Sequence, residues 1–144
     1  MRNAEITGWG RYLPSLVVSN QDLVDFVDTS DQWIESRSGI KQRHYSHVST
    51  GEMGWLAAER ALAAAGVSAL DIDLVVLGST TPEDMCPSTA SYIKGKLGAK
   101  DAAAFDLNSA CTSWFYGLTM ATDMIRAGTV RSALVIGSER LSLA

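Results

Sequence analysis

Ala104-Phe105-Asp106-Leu107-Asn108-Ser109-Ala110-Cys111-Thr112-Ser113-Trp114-Phe115-Tyr116-Gly117-Leu118 is the stretch whose reading decides the fold. An apolar run with strand character, Ala102 to Leu107, leads into Cys111, and a helix-like stretch, Thr112 to Arg126, leads away. A cysteine at a strand-to-helix junction lies near helix N-terminal N–H groups, whose partial positive charge favours thiolate over thiol. The same groups can hold an oxyanion forming on a bound acyl carbonyl. This position suits a nucleophile that accepts an acyl group. The competing reading is a buried small hydrophobe, since free cysteine is among the most buried residue types. The local pattern leaves both open.

Two further apolar runs flank this segment. Ile72 to Leu77 upstream and Ser132 to Gly137 downstream read as strands covered on both faces. Between the runs lie helices. Gly51 to Ala65 places Met53, Leu56, Ala57, Arg60, Ala61 and Ala64 near helical spacing, with Gly66 as its terminator. Ser88 caps a helix through Leu97 that Gly98 stops, and the helix after Cys111 runs to about Ala127 before Gly128. At the amino end, Ala4 to Leu13 reads as a strand broken by Gly8 and Gly10 and ended by Pro14. Asn20 is the expected N-cap of a short helix through Val27, with Asp22 in its first turn. Residues 28–50 read as a polar, irregular loop, and a loop this long is usually functional. The order β-α-α-β-α-β-α-β predicts an α/β fold with helices on both faces of a mixed sheet.

Composition narrows the function classes. The chain has 144 residues, 47% hydrophobic and 19% charged, enough for one domain with a real core. The net charge is −4 and no long basic run occurs, which argues against a nucleic-acid partner. No run approaches the ~18 apolar residues of a membrane span. Residues 1–20 carry Glu5, Arg11 and Pro14 and lack a signal-peptide core. The two cysteines, Cys86 and Cys111, show no close-spaced metal pattern, so free thiols in a reducing cytoplasm are expected. His44 and His47 have no supporting cysteine or carboxylate cluster and read as part of a solvated loop; no metal site is expected. Asn108 reads as a capping or turn residue.

Beyond the cysteine segment, an ordered series appears. Thr29-Ser30-Asp31-Gln32-Trp33-Ile34 is followed by Arg37-Ser38-Gly39-Ile40-Lys41-Gln42-Arg43, Leu77-Gly78-Ser79-Thr80-Thr81-Pro82, Cys86-Pro87-Ser88 and Ala133-Leu134-Val135-Ile136-Gly137-Ser138-Glu139. In order and spacing this resembles the beginning of the 3-oxoacyl-acyl carrier protein synthase III family, condensing enzymes of the thiolase superfamily. The resemblance implies a thiolase-like fold of two similar α/β halves. Residues 1–144 would be the amino-terminal half, with the carboxy-terminal half absent and the face that packs on it exposed. The implied reaction is decarboxylative condensation of an acyl-coenzyme A with malonyl-acyl carrier protein through an acyl group on Cys111. It would initiate fatty acid or polyketide synthesis in a cytoplasmic homodimer, with a coenzyme A thioester as substrate and no cofactor. The family's catalytic histidine and asparagine belong to the second half, so these residues alone are not expected to condense.

The resemblance also assigns Thr29, Trp33 and Arg37 to coenzyme A, the tryptophan and arginine sandwiching its adenine. A tryptophan offers a flat face for a base and an arginine a planar fork for phosphate or stacking. Read alone, the same pair fits a core tryptophan beside an exposed arginine. Arg43 or Lys41 could assist with phosphates or simply be solvated. Three positions depart from the family pattern. Cys86 stands where a bulky aromatic often reaches into the partner's acyl pocket, which either leaves room for a longer or branched acyl group or is neutral. Thr112 and Ser113, then Trp114, follow the cysteine where many relatives carry a small residue and glycine. Their hydroxyls and bulk could narrow the pocket or change the acceptor, which keeps open acyl transfer to a hydroxyl or amine. A non-catalytic partner subunit is the third reading. Glu139 replaces a frequent aspartate, with no role legible in the sequence.

Overall fold

The computed structural model describes residues 3–143. In chain order the elements are β1 (Leu16–Ser19), α1 (Asn20–Val24), α2 (Asp31–Ser38), β2 (Gln42–Tyr45), α3 (Thr50–Ala65), β3 (Leu74–Gly78), α4 (Thr89–Leu97), β4 (Ala103–Leu107), α5 (Ser113–Ala127) and β5 (Ala133–Gly137). Short 3-10 turns occupy Ala69–Asp71, Ala110–Thr112 and Leu141–Leu143.

The centre is a parallel three-stranded sheet ordered β4-β3-β5. β3 is buried along its whole length, as its unbroken apolar run predicts. Its side chains alternate between two layers. Val75 and Leu77 join Ala58, Leu62, Ala90, Ile93, Leu134 and Ile136 beneath α3 and α4. Leu74 and Val76 join Ala121 and Val130 beneath α5. Full burial of each such side chain contributes roughly 1.5–3 kcal/mol. Helices therefore cover both faces, as expected. The expected mixture of pairing directions is divided between two sheets, because β1 and β2 form a separate antiparallel pair, Leu16 opposite Tyr45.

Helix ends follow the sequence closely. Ser49 and Ser88 cap α3 and α4, and α3, α4 and α5 end on Gly66, Gly98 and Gly128. Those three glycines adopt left-handed φ of 65–79°, which side chains with a Cβ disfavour.

The amino-terminal third differs from its sequence reading. Ala4 to Leu13 contains no strand. It runs beside α3, so close that a Cβ on Gly10 would collide with the Ala57 carbonyl oxygen. A groove of about 840 Å³ separates residues 4–10 from β5 and α5, so no ladder forms there. The loop expected over 28–50 contains α2 and β2. Ser19, not Asn20, is the N-cap of α1. Its hydroxyl accepts from the Asp22 N–H while the Asp22 carboxylate accepts from the Ser19 N–H, a reciprocal capping box. The Ser19 hydroxyl also donates to the Asp22 carboxylate at 2.6 Å, and this bond first, with the one from the Ser19 N–H, holds the Asp22 carboxyl below its ordinary value.

Candidate active site

Cys111 lies in the tight turn between β4 and α5, and its side chain is exposed and free. Within the described residues, then, Cys111 is not a buried small hydrophobe. The turn is strained at one point: Ala110, just before the cysteine, has φ of 51°, a left-handed value that costs a non-glycine residue about 1–2 kcal/mol. Local hydrogen bonds hold this conformation. Ser113 Oγ accepts from the Ser109 N–H at 2.8 Å and donates to the Ala110 carbonyl at 2.8 Å. Thr112 Oγ1 donates to the Ser109 carbonyl at 2.7 Å, and Asn108 Oδ1 accepts from the Ala110 N–H at 3.3 Å. Asn108 is therefore a turn residue, as read.

These bonds answer the question raised by the residues after the cysteine. The Ser113 side chain is buried within the turn, and both hydroxyls are engaged in shaping it. Trp114 turns toward β5, where its Nε1 donates to the Val135 carbonyl at 3.2 Å. The polar substitutions thus build the turn's own scaffold. The N-cap residue Thr112 makes no side-chain cap bond to α5, and the first N–H of the helix, that of Ser113, donates to the Ala110 carbonyl.

The platform under the turn is backbone packed on backbone. A Cβ on Gly78 would lie 2.8 Å from Ser113 Cβ and 3.0 Å from Trp114 N. Glycine at the end of β3 is what lets the start of α5 sit there. Three carboxylates that sequence reading left without a role tie the neighbouring loops together. Asp106, in β4, accepts from the Thr89 and Ala90 N–H groups at 2.8 and 2.7 Å and so anchors the start of α4. Glu83 accepts from the Thr50 and Gly51 N–H groups at the start of α3. Glu139, after β5, accepts from the Thr80 N–H at 3.0 Å, Ser79 Oγ at 3.1 Å and Thr81 Oγ1 at 2.5 Å. Partial burial pushes the Glu139 carboxyl up, but the hydrogen bonds from Thr81, Thr80 and Ser79 outweigh it and hold it below the ordinary range. The loops after β3 and β5 are joined in this way at the sheet edge where the Cys111 turn begins.

Trp33 and Arg37 lie on α2, and Thr29 lies just before its N-cap Ser30. Trp33 and Arg37 are one helical turn apart on a shared face, both exposed, Trp33 by 58%. Within the described residues Trp33 belongs to no core. Thr29 Oγ1 is shielded from solvent and has no hydrogen-bond partner among the described residues. The neighbouring cations are occupied: Arg43 donates to Asn20 Oδ1 at 2.6 Å, and Lys41 pairs with Glu35 at 3.2 Å on the surface. His44 Nδ1 donates to the Pro14 carbonyl at 2.6 Å from the small sheet. Among the described residues no group of three or more His, Cys, Asp or Glu gathers, and no helix is long and apolar enough to cross a membrane.

Known proteins share this arrangement. The family profile described as 3-Oxoacyl-[acyl-carrier-protein (ACP)] synthase III matches residues 105–144, the β4 and Cys111 segment onward. A beta-ketoacyl-[acyl-carrier-protein] synthase III 2 of Vibrio cholerae is 52% identical over 96% of this chain and 38% of its own length. A beta-ketoacyl-[acyl-carrier-protein] synthase III of Clostridium perfringens is 46% identical over 100% of this chain and 45% of its own. The crystal structure of a 3-oxoacyl-[acyl-carrier-protein] synthase III from Aquifex aeolicus superposes with a TM-score of 0.94 at 42% identity, covering 97% of this chain and 46% of that one. The chain belongs to the 3-oxoacyl-[acyl-carrier-protein] synthase III family. Its fold is that of the thiolase-like synthases: the priming β-ketosynthase of the R1128 polyketide pathway, 36% identical, superposes with a TM-score of 0.95 over 98% of this chain and 43% of its own. The chain spans 38–45% of the length of these curated synthase III relatives.

Proposed function

We propose that this chain supplies the acyl-accepting part of a 3-oxoacyl-acyl carrier protein synthase III, with Cys111 as the nucleophile. The observation that carries the reading is the exposed cysteine on a strained, hydrogen-bonded turn between strand β4 and the N-terminus of α5. In the first step Cys111 Sγ attacks the carbonyl of an acyl-coenzyme A. The carbon–sulfur bond to coenzyme A breaks, coenzyme A leaves as its thiol after taking a proton, and the acyl group remains on Sγ. Backbone N–H groups of the Cys111 turn are the donors this reading assigns to the intermediate oxyanion, the Ser113 N–H being already bound to the Ala110 carbonyl. In the second step the malonyl carboxylate of malonyl-acyl carrier protein leaves as carbon dioxide. The resulting enolate carbon attacks the acyl group and Sγ departs. The donors that stabilise that enolate are assigned to the carboxy-terminal half of the complete synthase, of which residues 1–144 form the amino-terminal half.

Thr29, Trp33 and Arg37 hold the adenine end of the coenzyme A substrate in this reading. Two exposed side chains one helical turn apart, and a shielded hydroxyl two residues before the helix, support it. No metal or redox cofactor enters either step. The complete enzyme works as a cytoplasmic homodimer with acyl-coenzyme A and acyl carrier protein as partners. Mass spectrometry after incubation with acetyl-coenzyme A tests the central claim. A single acetyl adduct on Cys111 in the complete synthase, lost in Cys111→Ala, is the expected result. An undiminished adduct in Cys111→Ala removes the assignment.

A further inference from the structure

α2 poses a mechanical question. It buries none of its residues, so the hydrophobic effect gives it little hold on the rest of the molecule. A stacking face for a nucleotide nevertheless needs a fixed orientation. Asn20 is placed to give it one. The residue is 1% exposed, and its side chain alone joins three segments. Nδ2 donates to Asp31 Oδ1 at 2.7 Å, at the first residue of α2, and to the Ile40 carbonyl at 2.8 Å, just past the last. Oδ1 accepts from Arg43 Nη2 at 2.6 Å, on β2. The Asn20 backbone N–H also donates to the Lys41 carbonyl at 3.2 Å.

The chemistry admits only one orientation of the amide. Arg43 can only donate, whereas an ionised Asp31 and the Ile40 carbonyl can only accept. An aspartate would keep the Arg43 bond but set a carboxylate oxygen against two acceptors. A buried polar group with all its bonds made is costly to disturb, because its partners lose their bonds inside the protein.

We propose that Asn20 is the positioning residue of the coenzyme A platform: it grips both ends of α2 and sets the angle at which Trp33 and Arg37 meet the nucleotide. This rests on reading Trp33 and Arg37 as that platform. Asn20 touches no substrate itself. Its effect should therefore fall on recognition of the nucleotide and spare the chemistry at Cys111.

The test uses the complete synthase with two acyl donors, acetyl-coenzyme A and S-acetyl-N-acetylcysteamine, which lacks the nucleotide. In Asn20→Ala and Asn20→Asp, KM for acetyl-coenzyme A should rise about 5- to 30-fold, the size of effect expected from a broken buried network. The value of kcat and the kinetics with the nucleotide-free donor should stay within roughly twofold. Hydrogen exchange should quicken over residues 31–38 and stay slow in β3 and β5. Equal losses with both donors, loss of folding in both variants, or unchanged KM and exchange would each overturn the proposal. Trp33→Ala separates the two levels. If it raises KM for acetyl-coenzyme A while the Asn20 variants do not, the positioning role falls alone. If it changes nothing, the platform reading falls and takes the Asn20 proposal with it.

Discussion

The turn that carries Cys111 and the helix that carries Trp33 and Arg37 are supported in opposite ways. Beneath the turn lies β3, buried on every residue, with α5 pressed against Gly78 at backbone contact distance. No residue of α2 is fully buried and only Ile34 is half-buried; its N-cap Ser30, its terminator Gly39 and the Asn20 bonds hold it. An attacking sulfur must be placed to within a fraction of an ångström, and close-packed, incompressible support does that. A stacking surface tolerates more, because every base offers a flat face. Polar support also leaves α2 open to change at less cost to the fold than a change under the turn.

Substitutions should separate the two regions, and the largest effect belongs to the nucleophile. Cys111→Ala should abolish acyl-enzyme formation from any donor, with the melting temperature unchanged within error. Trp33→Ala comes next and should act on one donor only. Losing a stacking partner costs roughly 1–3 kcal/mol, so acetyl-coenzyme A should bind about one to two orders of magnitude more weakly. Acylation by S-acetyl-N-acetylcysteamine should barely change. If Trp33→Ala slowed both donors equally, α2 would be part of the scaffold and the contrast would collapse.

Gly78→Val attacks the support beneath the turn. Even its Cβ would stand 2.8 Å from Ser113 Cβ, so the start of α5 must move. Overpacking of this kind costs typically about 1–3 kcal/mol, readable as a shift in the urea midpoint. Acylation from both donors should fall together, since Cys111 moves with α5. Retained stability and retained acylation would show that the close approach is not what places the cysteine.

What could be read from the sequence follows the same division. The strands of the parallel sheet announce themselves as apolar runs, and α3, α4 and α5 end on the glycines their pattern points to. The cysteine was legible because an apolar run with strand character and an amphipathic helix bracket it. α2 was not, because a helix that buries nothing has no apolar period to display. β1 and β2 are four residues each and show no clean alternation, so nothing marks them as strands. Ala4 to Leu13 has strand composition but no partner among the described residues, and composition cannot report a missing partner. Asn20, Asp106 and Glu139 escaped for a further reason. Asn20 is 11–23 residues from the groups its side chain binds, Asp106 16–17 and Glu139 58–60. Only the fold brings such groups together.

Glu139 offers the subtlest test of how the turn region is braced. Its carboxylate collects donors from Ser79, Thr80 and Thr81, and they hold its folded-state ionisation below the ordinary glutamate value despite partial burial. A carboxyl lowered on folding adds stability that is fully present above its unfolded-state value. That contribution is lost as pH falls through the folded-state value. Glu139→Gln keeps one acceptor oxygen but presents amide N–H groups to the Thr80 N–H, so it should destabilise the protein slightly at neutral pH. The difference between wild type and variant should shrink as pH is lowered through the ordinary glutamate range and below it, because the wild-type carboxyl then also becomes neutral. Urea unfolding of both proteins across that range measures it. The side chain is largely exposed, so solvent screening keeps the effect small, well below that of Gly78→Val. A difference that stayed constant with pH would mean that the shape of the Glu139 side chain, not its charge, ties the loop after β5 to the loop after β3.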